Sequence, residues 1–365
     1  MKKSVFFVTS LNSGGIENYL LRFLSFYNGQ ITPIVICKSG EFGDLEEAYS
    51  KIPHIKLIKM NLGYFNLLAY YNLYNYLNDT KVDSVCDFTG NFAGLTLLTS
   101  KFSKIKKRLS FYRGSTNHFN ESSFKLYYNK LMKSLVKKNA TTILSNSKAA
   151  LDFFYSERAE NNHRFRVIYN GIDANKFNAS KNKYLKRDFN IPDNAFVIGH
   201  TGRYNTAKNH KTIIKVAEKL CEKYKDIYFL LCGKDTDVYL KEEVSDNQIL
   251  KDKIKILGYR GDINKILPVS NLFFFPSITE GQPNALIEAM IVGLPIVASN
   301  IEPIKETTPK ELQDELIAPL DIDEFVRRIE AYYLSEEKRI KNNHSDWAKK
   351  KFDPEVLFSQ FYKEL

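Results

Sequence analysis

Residues 271–299 read NLFFFPSITEGQPNALIEAMIVGLPIVAS. Asn271–Pro276 is a short apolar run, and Pro295–Ser299 is another. Residues 283–292 between them fit one helix. Pro283 suits its first turn, where the missing N–H costs nothing. Gly293 suits the stop, and Pro295 follows it. Strand, loop, helix and strand in so short a span is the repeating unit of a parallel α/β sheet.

The same alternation runs outward in both directions. Before this stretch, Ala195–His200, Ile227–Cys232 and Ile254–Leu257 read as strands, with a helix over Lys211–Tyr224. Nearer the N-terminus, Ser4–Thr9, Ile31–Cys37, Ile55–Met60, Asp83–Asp87 and Arg108–Phe111 read as strands, and Thr142–Ser145 closes that series. Residues 16–27 repeat apolar positions at three and four, as a helix does. Val167–Tyr169 precedes a turn at Asn170-Gly-Ile-Asp173. Residues 173–194 are polar, Lys/Asn-rich over 178–190, and read as a linker. Two doubly wound α/β domains in series fit 365 residues, at roughly 150 residues per domain.

Composition bounds the function. Hydrophobic residues are 44% and charged residues 26%, which supplies large cores and excludes a disordered chain. The formal charge of +11 invites nucleic acid as a partner. Its distribution argues otherwise. Residues 1–170 carry 23 Lys+Arg and 12 Asp+Glu, whereas 171–365 carry 30 of each. Residues 101–138 alone hold 11 basic residues against one acid, Glu121. The four cysteines, Cys37, Cys86, Cys221 and Cys232, lack metal-ligand or redox spacing and read as buried thiols of a reducing, cytoplasmic compartment. The N-terminal run reads as a strand and not as a signal peptide. No stretch approaches the ~18 apolar residues of a membrane span.

Chemistry concentrates at the loop before the 283–292 helix. A helix start presents free N–H groups and a positive dipole end, which suits an anion. Glu280 lies in that loop, and Glu288 lies in the helix among Leu286, Ile287, Ala289 and Met290. A carboxylate in so apolar a helix needs partners if buried, and the paired hydroxyls of a ribose would serve. The alternative is that Glu280 answers the helix dipole and Glu288 pairs with a lysine. Gly199–His210 (GHTGRYNTAKNH) places Arg203 and Lys208 in a loop before another helix. Such cations can grip a diphosphate or simply be solvated. Gly14-Gly15 follow the first strand, but the G-x-G-x-x-G dinucleotide fingerprint is absent.

The stretch from Glu280 to Ser299 resembles the E-x7-E signature of family 4 retaining glycosyltransferases of the GT-B fold. Glu280, Gly281, Pro283, Asn284, Glu288, Ala289, Met290, Gly293, Pro295, Ala298 and Ser299 carry the match. Gln282 departs from it, since an aromatic residue or Met is usual there, which bears on donor-sugar preference. The resemblance implies two Rossmann-like domains facing across a cleft. The N-terminal, acceptor-binding domain would cover 1–172, with a last helix at 354–365 packing back on it. The domain for the nucleotide sugar would cover 173–345.

It further implies a hexosyl- or N-acetylhexosaminyl-transferase, retaining and metal-independent, with no cofactor beyond its donor. The donor is a nucleotide diphosphate sugar, most commonly a UDP-sugar. The acceptor is a glycan hydroxyl, lipid-linked, in the assembly of a surface polysaccharide such as capsule, exopolysaccharide or O-antigen. Glu280 would contact the transferred sugar and Glu288 the ribose. Arg203 and Lys208 would hold the phosphates and offset charge on the leaving group. The amides of Gly281 to Asn284, with Gly14 and Gly15, would approach the sugar and diphosphate. Gly233, Tyr259 and Arg260 would lie near the nucleotide. His118 would contact the donor sugar, although the family's usual histidine pattern is not matched there.

The basic segment keeps three readings. Phe124–Lys138 spaces Phe124, Tyr127, Tyr128, Leu131 and Leu135 at three and four, with lysines around the other faces. It is a packed surface helix, a helix lying on the anionic inner face of a cell membrane, or, least favoured, a nucleic-acid site. No nucleic-acid-binding fold signature accompanies it. Two other functions compete with glycosyl transfer. A dinucleotide-dependent Rossmann enzyme would need the missing fingerprint. A non-catalytic basic binding protein would not need Arg203, Lys208 and both glutamates together.

Overall fold

The first strand shows how the sheets are built. Along Lys2–Val8, Phe6 and Val8 enter one apolar cluster, while Val5 and Phe7 enter a second. Successive side chains point to opposite faces, so a strand covered on both faces reads as one unbroken apolar run.

In the computed structural model, residues 1–63, 66–114, 123–159, 162–177 and 184–365 are described. They form two units, Met1–Asn170 with Glu355–Leu365, and Gly171–Pro354. The first unit holds β1 (Lys2–Val8), β2 (Ile31–Cys37), β3 (Lys56–Lys59), β4 (Ser84–Asp87), β5 (Lys107–Tyr112), β6 (Thr142–Ser145) and β7 (Phe165–Val167). They join in the order β3-β2-β1-β4-β5-β6-β7, every pair parallel. The second holds β8 (Phe196–Thr201), β9 (Ile227–Cys232), β10 (Ile254–Ile256), β11 (Leu272–Phe275) and β12 (Ile296–Ala298). Their order is β10-β9-β8-β11-β12, again all parallel. The α/β reading therefore holds for both units. In such sheets ligands bind beyond the carboxyl ends of the strands, where the strand order reverses.

Two readings change. β7 is absent from the expected strands, because its outermost position leaves Phe165–Val167 only partly covered and its residues carry little apolar signal. The polar stretch read as a linker is in part structure. Phe189 and Ile191 are buried in a cluster with Ala195, Val197 and Leu230 of the second unit. A few apolar side chains in a Lys/Asn-rich run carry that packing, and composition conceals them.

The helix Pro354–Glu364 belongs to the first unit. Phe358, Phe361 and Leu365 are buried beside Tyr19 and Phe23. Phe361 lies 4.5 Å from Phe23 and 5.3 Å from Phe111, ring centre to ring centre. Tyr362 stacks on Tyr27 at 4.5 Å, and Arg166 pairs with Glu364.

Candidate active site

The second unit brings several predicted residues to the carboxyl ends of its strands. The loop after β8 begins at Gly202, and its amide donates to the Cys232 carbonyl at 2.8 Å. Gly233, next after β9, donates its amide to the Gly258 carbonyl at 2.8 Å. A Cβ at Gly233 would stand 1.8 Å from the Gly202 carbonyl oxygen, so no other residue fits without moving that loop. Gly233 is thus the point where three strand-end loops converge. Gly258 has φ +63 and lies against the Asp237 carboxylate, a position suited to glycine.

Lys208 and Glu280 meet here. Lys208 Nζ lies 2.5 Å from Glu280 Oε1, with side chains 17% and 10% exposed. The ammonium also sits 4.8 Å from the centre of the Phe275 ring. Asparagines place the lysine. Asn205 Oδ1 accepts from the Lys208 amide at 3.0 Å. Asn209 adopts φ +56, a left-handed conformation that Asn tolerates. Its buried side chain donates to the carbonyls of Pro276 at 3.0 Å and Pro319 at 2.8 Å. The Ile278 amide donates to the Ala207 carbonyl at 2.8 Å, tying the two loops together. Sequence reading overlooked Asn205 and Asn209. Their signal was the short polar side chain on either side of Lys208.

The loop after β11 leads into the helix Asn284–Val292, with Pro283 as its N-cap and Gly293, φ +90, as its C-cap. Gln282 and Pro283 are buried, while Gly281, Asn284 and Glu288 are partly covered. Glu288 follows Asn284 by one turn, so both stand on one face near the helix start. Arg203 is exposed on the loop after β8. Tyr259 is 63% exposed. Arg260 donates to Asp262 at 2.8 and 2.6 Å and to the Tyr184 hydroxyl at 3.0 Å. That fork holds the Asp262 carboxyl well below its usual range.

Two histidines lie under the Lys208 loop. His200 and His210 sit 5.2 Å apart, ring centre to ring centre, and His200 Nδ1 is 3.0 Å from the Phe274 carbonyl oxygen. Burial, and then the Lys208 ammonium, push His210 down to about 4. Burial also pushes His200 well below the ordinary value. Below about pH 6.5 the unfolded chain takes up protons that these rings refuse. Stability is therefore complete above pH 6.5 and falls as the pH drops toward 4. His210 alone contributes a loss on the order of 2 kcal/mol over that window. Urea unfolding between pH 7.5 and 5 checks this, with His210→Gln expected to flatten the slope.

Gly14 and Gly15 belong to the first unit. Gly14 caps the helix Gly15–Phe26, and a Cβ on it would meet a Glu17 carboxylate oxygen at 2.5 Å. A Cβ on Gly15 would meet open space. His118 lies outside the described residues.

Comparison with known proteins identifies the family. Residues 13–176 match the family described as Glycosyltransferase Family 4, and residues 182–347 match Glycosyl transferases group 1. The chain is a family 4 glycosyltransferase of the GT-B fold. Among relatives of this glycosyltransferase, an Escherichia coli protein is named UDP-Gal:alpha-D-GlcNAc-diphosphoundecaprenol alpha-1,3-galactosyltransferase. It is 33% identical over 172 residues, 46% of this chain and 44% of the relative. The match thus spans less than half of that protein's length. A Staphylococcus aureus capsular polysaccharide biosynthesis glycosyltransferase, CapH, is 23% identical over 83% of this chain and 82% of its own. The solved structure of Anabaena HepE with UDP and glucose superposes with a TM-score of 0.78. It shares 21% identity and covers 100% of this chain and 99% of the other, a likeness of fold.

Proposed function

We propose that this family 4 glycosyltransferase moves a sugar, with retention, from a UDP-sugar to a hydroxyl of a lipid-linked glycan in surface polysaccharide assembly. The observation that carries this reading is the Lys208–Glu280 pair at 2.5 Å, held beside a helix start on two strand-end loops. In it, Lys208 and Arg203 bind the diphosphate and balance the charge that grows on it as the sugar leaves. Glu280 orients the transferred sugar and keeps Lys208 in place. Glu288 holds the ribose hydroxyls, and the N–H groups of Gly281, Gln282 and Asn284 serve the phosphates. Gly233, Tyr259 and Arg260 border the nucleotide. The leaving phosphate oxygen takes the acceptor's proton, so no side chain is asked to act as base. This reading calls on no metal or other cofactor. The relatives named for UDP-galactose, diphosphoundecaprenol and capsule support it.

Incubation with a panel of nucleotide sugars tests the proposal, read as release of nucleoside diphosphate. Glu288→Ala and Arg203→Ala should each depress it. Unchanged release in both variants would overturn the site, and no binding of any nucleotide sugar would overturn the function.

The proposal also places the enzyme on an anionic membrane surface through residues 101–138. On the helix Ser123–Asn139, Leu126, Tyr127 and Leu131 are 42%, 71% and 46% exposed, flanked by exposed Lys130, Lys137 and Lys138. Apolar side chains beside lysines suit an interface between headgroups and acyl chains. Lys133 and Lys137 face Glu157, at 4.0 and 3.3 Å. Lys130, Leu131 and Lys138 are therefore the informative positions. Vesicles with anionic lipid should sediment the protein, and replacing all three with Gln should weaken binding at least about 30-fold, at about 1 kcal/mol for each of the two lysines. Binding indifferent to those changes would count against docking. No described helix is long and apolar enough to cross a membrane.

A further inference from the structure

The first unit contains a cavity of about 500 Å³ at the carboxyl ends of its strands, where β1 meets β4. Phe88, Tyr112 and Tyr128 stand in its wall, and Asn61 and Asn129 add amides. One cation in its lining is already compensated. Lys38 Nζ donates to Asp87 Oδ2 at 3.0 Å, Thr89 Oγ1 at 2.9 Å and the Phe92 carbonyl at 2.8 Å. All three of its hydrogens are used, and the pair is neutral.

Arg113 is the other cation in the lining, and it is not compensated in this way. Its guanidinium carbon sits over Tyr19, 3.7 Å from the ring centre, and Nη2 donates to Asn170. Nε and Nη1 are shielded from water and have no hydrogen-bond partner among the described residues. Burial lowers its pKa to about 10, which leaves it charged at neutral pH. Arg22 pushes it further down, whereas Glu17 holds it up. A buried guanidinium with idle donors is costly, and a phosphate or carboxylate is the partner its fork geometry fits.

We propose that this cavity seats the acceptor, and that Arg113 recognises an anionic group carried by the acceptor glycan. The inference rests on the glycosyl-transfer reading above. It adds the acceptor's chemical class, a glycan that carries a phosphate or carboxylate at Arg113. The function proposed above assigns the donor's phosphates to Arg203 and Lys208 of the second unit, which leaves Arg113 for a different ligand.

The test uses the full chain with Arg203→Gln and Lys208→Gln, which removes the donor-side cations. Binding of three probes is measured by calorimetry: N-acetylglucosamine 1-phosphate, the methyl glycoside of glucuronic acid, and neutral methyl N-acetylglucosaminide. One anionic probe should bind at least ~10-fold tighter than the neutral one, as expected for a charge-assisted hydrogen bond. Which probe wins identifies the anion. Adding Arg113→Gln should abolish the difference. Arg113→Lys keeps the charge without the fork and should reduce the difference at least threefold; it decides the matter if the Gln variant melts early. Equal binding of all probes, or a preference that survives both substitutions, overturns the proposal. UDP binding by the unmodified chain separates the two ideas. If UDP binds while the probes do not discriminate, the anion site falls and glycosyl transfer stands. If no nucleotide binds, the transfer reading falls, and the acceptor assignment with it.

Discussion

Replacing Lys208 with glutamine is expected to lower kcat about 10²- to 10³-fold, the scale of losing one preorganised donor to a developing negative charge. The structure supplies two reasons for so large an effect. Lys208 is only 17% exposed, so its charge is weakly screened where it acts. Its departure also leaves Glu280, 10% exposed, without its ammonium partner. Breaking a covered pair from one side costs more than the pair contributes, because an uncompensated charge remains. Glu280→Gln should lower kcat as well, while the double variant should be less impaired than the sum of the two. Steady-state kinetics on the three variants checks this through a double-mutant cycle. Additive losses would mean that the two side chains act separately.

Phe361→Ala should cost about 3–5 kcal/mol of first-unit stability, the usual range for truncating a fully buried phenylalanine. Phe361 touches Tyr19, Phe23, Phe88 and Phe111, and its side chain is wholly shielded from solvent. The void would open among aromatic rings from the helix Gly15–Phe26, the loop after β4, and β5, which cannot all close on it. Against a typical total of ~5–15 kcal/mol for a domain, this is a large fraction. Urea unfolding followed by hydrogen exchange on β1, β4 and β5 would report it. Tyr362→Phe is the matched control, since the Lys2 ammonium 4.2 Å from that ring is indifferent to the hydroxyl.

Most of the strands could be read from the chain because they are covered on both faces. Phe196–Thr201, Ile227–Cys232 and Leu272–Phe275 are apolar runs for that reason. The edge strand Phe165–Val167 lacks that cover and gave no such run. The loop and helix around Glu280 were legible as a pattern of glycine, proline and acid. The partnership of Lys208 with Glu280 was not, because 72 positions separate them and only the sheet order makes them neighbours. Asn209 escaped notice since its role depends on a backbone angle. Arg113 was obscured by the basic segment around it, where nothing in composition separates a buried guanidinium from a solvated lysine.

The placement of Pro354–Glu364 sets a schedule for the newborn chain. β1 leaves the ribosome early, yet the surface formed by Tyr19, Phe23 and Phe111 gains its cover only when Phe361 emerges. From Asn170 to Phe361 is 191 residues, which takes roughly 10–40 s at ~5–20 residues per second. For that interval the first unit carries an open aromatic face while the second is still being made. A chaperone that shields aromatic surface would meet this protein in that window, and a stalled ribosome would prolong it.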